Sequence, residues 1–241
     1  MNINESVIVI TGASSGIWEA TAHAALQAGA RVILLGRRKT RLDALAGASA
    51  LALTCDVTDA DQIDHAVREG VARFGRIDVL INNAGQELYA AVEEIDIPRF
   101  RALLDLNLVA PLMMMQAVIP VMRRQGAGHI VNISSGATLA TYPGSAAYTS
   151  SKAGLNELSD VARLELADAG IRVSTLYPFM TDTEFYQSVS SGQDAAMAQA
   201  QQGAGFAHTP GRVAEKILTV IESGEAHADL VPRAWGGTLE G

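Results

Sequence analysis

Tyr148 and Lys152 stand four residues apart in a stretch with helical periodicity, so their side chains share one face. A phenol titrates near 10 in water and is a poor acid–base at neutral pH. An ammonium about 4 Å away, at an effective dielectric near 20, favours phenolate by roughly 4 kcal/mol, which makes the phenol usable near neutrality. Such a pair can protonate a carbonyl oxygen as hydride reaches the carbon, or take a proton from an alcohol. Tyr and Lys fall four apart by chance in many helices, so their company matters. Ser135 follows the strand ending Asn132-Ile133-Ser134, at the carboxyl edge where open α/β sheets place ligands. Its hydroxyl is suited to orienting a substrate oxygen and stabilising developing charge. Asn107 sits between Leu106 and Leu108 in a long helical pattern; a core amide bonded to backbone is its plainer reading.

A hydride needs a donor, and a second group of residues speaks to it. Thr11-Gly12-Ala13-Ser14-Ser15-Gly16-Ile17 falls where a first strand would end and a first helix begin. Such a turn aims backbone N–H groups and the positive helix end at a diphosphate, and glycine permits the close approach. A turn with no ligand is the alternative. The second strand ends at Leu35-Gly36-Arg37-Arg38, where an NAD site would need a carboxylate for the ribose 2′-hydroxyl. Guanidinium groups suit a 2′-phosphate, so Arg37 and Arg38 point to NADP(H), with a solvated basic helix start as the competing account. Asp56-Val57 closes the third strand, near an adenine edge, and Asn82-Asn83-Ala84-Gly85 closes the fourth.

Positioning these groups requires strands and helices in alternation. Apolar runs at 7–10, 31–35, 50–55, 79–81, 129–133, 173–176 and 229–231 read as strands covered on both faces. Helical patterns lie between them, at 16–28, 40–46, 60–74, 98–124, 147–169 and 210–223. Thr58 before Asp59 and Asp61, and Pro98 and Pro210, mark helix starts. The alternation predicts a Rossmann-type α/β fold: a doubly wound parallel sheet of about seven strands with helices on both faces. Residues 1–241 are expected to form a single domain. The long connection 178–209, which carries Phe179, Met180, Phe185, Tyr186 and Phe206 among Ser, Gly and Gln, is expected to be a substrate lid.

The bulk composition agrees. Of 241 residues, 49% are hydrophobic and 18% charged, enough for a large core. Apolar runs are short against the roughly 20 residues of a membrane span, and no signal peptide is expected. A net charge of −8 argues against nucleic-acid or acidic-membrane partners. One cysteine, Cys55, fits a reducing cytoplasm. The histidines lack metal-ligand spacing, so no metal site is expected. Met113-Met114-Met115 reads as core or subunit contact, and Asp59, Asp61 and Asp64 as a solvated helix face.

Taken in order, Thr-Gly-x-x-x-Gly at 11–16, Asp56-Val57, Asn82-Asn83-Ala84-Gly85, Asn107, Ser135 and Tyr-x-x-x-Lys at 148–152 resemble the short-chain dehydrogenase/reductase family, over about residues 6 to 232. The resemblance implies that Tyr148 is the acid–base and that Lys152 activates it and holds the nicotinamide ribose. It implies that Ser135 polarises the substrate oxygen and that Asn107 anchors a water relay. Gly12, Ser14, Ser15, Gly16, Ile17, Arg37, Arg38, Asp56, Val57, Asn83, Ala84, Gly85, Thr181 and Thr183 are the expected remaining cofactor contacts. A homodimer or homotetramer is implied, paired through 98–124 and 147–169. The expected activity is a ketoreductase or alcohol dehydrogenase acting on a carbonyl or alcohol. The alternatives are a non-catalytic ligand- or partner-binding relative and an epimerase or eliminase.

Two positions depart from the family pattern. Trp18 stands where a glycine usually follows Gly16-Ile17, and its indole either turns outward or crowds the dinucleotide site. Phe179 follows Tyr177-Pro178 where relatives carry glycine, which tilts the expected substrate towards apolar or aromatic.

Overall fold

The computed structural model describes residues 1–12, 16–183 and 204–240. Seven strands form one sheet: β1 Val7–Thr11, β2 Arg31–Gly36, β3 Ala50–Thr54, β4 Val79–Asn82, β5 Gly128–Ile133, β6 Ile171–Tyr177 and β7 His227–Asp229. Their order is β3-β2-β1-β4-β5-β6-β7, and every pairing is parallel. The order reverses direction between β1 and β4, and the crevice outside the carboxyl ends of strands at such a switch point is where these sheets bind ligands.

The strands are buried on both faces because helices cover both. Ile8 and Ile10 face a core built with α1 (Ile17–Gln27) and the last helix, α7 (Pro210–Ser223). Val7 and Val9 face the opposite core, with α3 (Ala60–Phe74), α5 (Ala110–Gln125) and α6 (Ala146–Leu166). Successive strand side chains point to opposite faces, which explains why both registers of β1 are apolar. The short helix α2 (Lys39–Asp43) adds Leu42 to the first core.

Helix starts follow local chemistry. Asp59, rather than Thr58, caps α3 by accepting from the N–H groups of Asp61 and Gln62. Asp59 is thus a cap as well as an exposed acid. Asp96 caps α4 (Ile97–Leu104) through the N–H of Arg99, and Thr209 caps α7 through that of Arg212.

Two sequence expectations need correction. The last strand is His227–Asp229 and not 229–231; Asp229 ends it, its carboxylate accepting from the N–H groups of Val231 and Thr238. The expected helix 98–124 is not regular either: a π turn at Asp105–Val109 interrupts it, with Asn107 in the middle. Pro111 has no N–H to offer the carbonyl of Asn107 four residues earlier, and Ala110 instead donates to Asp105, five residues back. The whole stretch Ile97–Gln125 is long and apolar enough to cross a membrane by length and composition, although no shorter apolar run suggested it. In the fold, Met114, Met115, Val118 and Met122 of this stretch are core residues, with Met113 packed against them.

Candidate active site

The carboxyl ends of β1, β2, β4, β5 and β6 open onto one cavity of about 640 Å³. Two side chains tie the β1 end to the β4 end, and one of them is Asn83, whose Nδ2 donates to the Thr11 carbonyl at 3.4 Å. Thr11 Oγ1 accepts from the backbone N–H groups of Asn83 and Ala84 at 3.0 and 3.1 Å. The two chain segments then approach so closely that a Cβ on Gly12 would lie 2.8 Å from Ala84 Cα, and one on Gly16 would lie 2.8 Å from Thr183 Cγ2. Both glycines also have positive φ, 74° and 69°, so they are required twice over. Gly12, Gly16, Ile17, Asn83, Ala84, Gly85, Thr181 and Thr183 line the cavity as expected. Ser14 and Ser15 lie outside the described residues.

At one end of the cavity are Arg37, Arg38, Asp56 and Val57. The Asp56 carboxylate accepts from the backbone N–H and hydroxyl of Thr58, at 3.0 and 2.7 Å. These bonds chiefly hold its carboxyl below the usual carboxylate range, and the Arg37 guanidinium adds to the effect. Neighbouring Cys55 is buried, which pushes its thiol up to about 11, leaving it an inert wall residue.

At the other end, Ser135, Tyr148 and Lys152 share the cavity wall. Lys152 is only 4% exposed and donates from Nζ to the carbonyl of Ile133 at 2.9 Å. Burial lowers its ammonium from an ordinary 10.5 to about 8, because a charge in low dielectric is penalised. Ser135 Oγ accepts from the N–H of Ala137 at 3.2 Å, which leaves its own proton available to donate. Tyr148 is 7% exposed, in the first turn of α6.

Asn107 does not line the cavity; it stands behind it, fully buried. Its Oδ1 accepts from Gln86 N–H at 2.9 Å, while its Nδ2 donates to the Gln86 carbonyl at 2.8 Å and to Ser151 Oγ at 3.0 Å. Ser151 Oγ in turn donates to the carbonyl of Tyr148. A Cβ on Gly85 would lie 3.2 Å from Asn107 Oδ1 and 3.3 Å from Lys152 Nζ. The π turn, the β4 end and α6 therefore converge on one point. The plainer reading of Asn107, an amide bonded to backbone, accounts for its two bonds to Gln86 and misses the one to Ser151 Oγ.

Trp18 does not turn outward. It is 2% exposed and belongs to the core between the sheet, α1 and α7, while also bordering the cavity. Its indole N–H has no hydrogen-bond partner among the described residues. Phe179 lines the cavity and meets Trp235, ring centroids 5.9 Å apart at 49°.

Sequence reasoning missed Glu87, Tyr142 and Trp235, which all line the cavity. Only Glu87 carried a signal, an acid two residues past the Asn-Asn-Ala-Gly turn; the others arrive from loops by tertiary folding. Of the expected lid, only 178–183 and 204–209 are described. These ends run together, bridged at Thr181 and His208, with the His208 N–H donating to Met180 and the Asp182 N–H to His208. The remainder of the expected lid, 184–203, lies outside the described residues.

Comparison with known proteins agrees with this architecture. The sequence profile of the short chain dehydrogenases matches residues 6–194. An uncharacterized oxidoreductase of Staphylococcus epidermidis is 32% identical over 194 residues, covering 79% of this chain and 84% of that protein. A crystal structure of a short-chain dehydrogenase from Streptomyces avermitilis superposes with a TM-score of 0.81 at 32% identity, over 95% of this chain and 90% of that one. A short chain dehydrogenase/reductase from Burkholderia phymatum, solved in complex with NAD, gives a TM-score of 0.89 at 24% identity, over 97% and 91%. With a matching profile over most of its length, close relatives and the same seven-stranded sheet, the chain belongs to the short-chain dehydrogenase family of oxidoreductases.

Proposed function

We propose that the protein is an NADP(H)-dependent ketoreductase or alcohol dehydrogenase in which Tyr148 is the acid–base. The observation that carries this reading is that Ser135, Tyr148 and Lys152 line the same cavity as the glycine turn and Arg37. The residues present fit the dinucleotide. Among the described residues no side chain caps the start of α1, so its first N–H groups are suited to an anion. Arg37 and Arg38 supply cations where a 2′-phosphate would lie, and no carboxylate occupies position 36, 37 or 38 to favour a bare ribose. Thr181 and Thr183, on the sixth-strand side, complete the proposed cofactor contacts.

When bound, the nicotinamide supplies or accepts the hydride. Tyr148 gives its hydroxyl proton to the carbonyl oxygen in reduction, or removes the proton from the alcohol in oxidation. Lys152 holds positive charge beside this exchange and favours the phenolate; with its ammonium lowered to about 8, it is still mostly charged at neutral pH. Ser135 donates to the substrate oxygen and steadies charge as it forms. Asn107 is a positioning residue: it pins the Gln86 backbone and, through Ser151, the first turn of α6.

Phe179 and Trp235 support an apolar or aromatic substrate. Exposed Val161 and Leu164 on α6, the latter 79% exposed, and Val109 on the π turn support a homodimer or homotetramer paired through these helices. The direct test is loss of NADPH absorbance against a panel of ketones, with Tyr148→Phe as the control. Oxidation of NADPH that persists undiminished in the control, or no turnover of any ketone, overturns the reductase reading.

A further inference from the structure

Glu87 is the one buried acid in the cavity that the proposed chemistry leaves without a task. It is 6% exposed and shares the wall with Ser135 and Tyr148. Among the described residues, the only other carboxylate lining the cavity is Asp56, which is engaged with Thr58 at the far end.

The backbone on both sides of Glu87 is anchored. Gln86 is clamped through its N–H and its carbonyl by Asn107. Leu88 is 1% exposed and packs with Leu103 of α4 and Ala147, the neighbour of Tyr148. Glu87 is also held by an interaction within the protein. The chain that carries Glu87 along the cavity wall is therefore fixed before any substrate arrives.

Such a placement is costly. A carboxylate removed from water is disfavoured by desolvation, and burial pushes this one up from 4.5 to about 7. An apolar residue here would line the wall without that cost. Perturbed acids that line a cleft concentrate at functional sites. Opposite in character are Phe179 and Trp235, whose rings meet at 5.9 Å, and Tyr142. An aromatic surface with one acid matches a molecule with an apolar body and one hydrogen-bond donor, and aromatic faces also attract ammonium groups.

We infer that Glu87 is a specificity-determining residue that accepts a hydrogen bond from a hydroxyl or ammonium group carried by the carbonyl substrate beside its reacting carbon. This rests on the ketoreductase reading. Reduction still transfers a hydride from the reduced nicotinamide dinucleotide to the carbonyl carbon and a proton from Tyr148 to the oxygen; Glu87 takes no part in that exchange.

The test uses three matched ketones with NADPH: acetophenone, 2-hydroxyacetophenone and 2-aminoacetophenone. In the wild-type protein, kcat/KM for one or both substituted ketones should exceed that for acetophenone by about 10-fold or more, the usual weight of a hydrogen bond to a charged group. In Glu87→Leu the ratio should fall to within about threefold of unity. Glu87→Gln keeps the shape and an accepting oxygen but no charge. Loss of preference in Glu87→Gln for the amino ketone alone identifies an ammonium, and a hydroxy-ketone preference retained there but lost in Glu87→Leu identifies a hydroxyl. A ratio that is the same in wild type and both variants, or a wild-type preference for acetophenone, overturns the inference. Calorimetric binding of the same ketones separates the two readings if no form turns over. Tighter binding of a substituted ketone that depends on Glu87 keeps this inference and sinks the reductase; equal binding sinks this one.

Discussion

The two ends of the cavity solve recognition in opposite ways. At the Arg37 end the charged groups are exposed, and Asp56 is held ionised by hydrogen bonds from Thr58. Exposed charges keep their solvent, cost little to maintain and are screened by salt. At the Tyr148 end the ionisable groups are buried: Lys152 is pulled down to about 8 and Glu87 pushed up to about 7, each by desolvation. Burial brings both towards neutral pH, the kind of shift that concentrates at functional sites. On the proposed function, the Arg37 end would hold the dinucleotide and the Tyr148 end would exchange the proton.

The contrast breaks most visibly at Tyr148. Tyr148→Phe should lower kcat by about 10²- to 10⁴-fold while NADPH titration by fluorescence gives a dissociation constant within a few-fold of wild type. A comparable loss of binding would mean that the residue holds the dinucleotide more than it moves a proton.

Trp18 sits between the two ends and sharpens the comparison. Because its indole is core, Trp18→Gly should lower unfolding free energy by about 3–5 kcal/mol, read by chemical denaturation. NADPH affinity of the folded fraction reports whether the indole also crowds the dinucleotide; a rise on substitution shows that it does, and unchanged affinity shows a packing role alone.

Arg37→Asp should lower the NADPH-to-NADH ratio of kcat/KM by about 10- to 100-fold, through loss of a charge-assisted bond and gain of a like charge. The wild-type ratio should shrink as salt rises. An unchanged ratio would remove the 2′-phosphate from this end.

Two further substitutions act on stability: both stabilise, and their pH trends oppose. Native Lys152 titrates below its unfolded value, so its cost is full below about pH 8 and fades towards 10.5. At about 1.4 kcal/mol per pH unit, Lys152→Met recovers up to about 3 kcal/mol at pH 7, offset by about 1 kcal/mol for the stranded Ile133 carbonyl. Glu87 titrates above its unfolded value, so its cost is absent below 4.5 and full above about pH 7. Glu87→Gln should therefore raise the melting temperature at pH 8 and leave it unchanged at pH 4. Melting curves across pH that move together, rather than in opposite directions, would contradict the assignment of burial as the cause.

Much of this molecule was legible from its residues. The short, nearly continuous apolar runs pointed to the parallel sheet, buried on both faces as in β1, and Thr58, Pro98 and Pro210 marked helix starts within a residue or so. Of the candidate site, the residues with a fixed spacing were legible: Tyr148, Lys152, Gly12 and Gly16 line one cavity. The irregular helix around Asn107 was not foreseen, although Pro111 carried its cause: a missing N–H matters only once one counts which carbonyl it strands. The β7 boundary failed because Leu230 and Val231 are as apolar as a strand, while only the carboxylate of Asp229 shows where the chain turns.

What the sequence by itself determined is the set of local requirements: apolar alternation, caps, the glycines and the four-residue step from Tyr148 to Lys152. Only the tertiary structure decided that Trp18 is core, that Trp235 from near residue 241 meets Phe179, and that Glu87 is buried in the wall of the cavity that Tyr148 lines. The physical reason is range. Helical spacing and backbone conformation are set within a few residues, whereas burial, and with it the protonation of Lys152 and Glu87, depends on which distant segments exclude water.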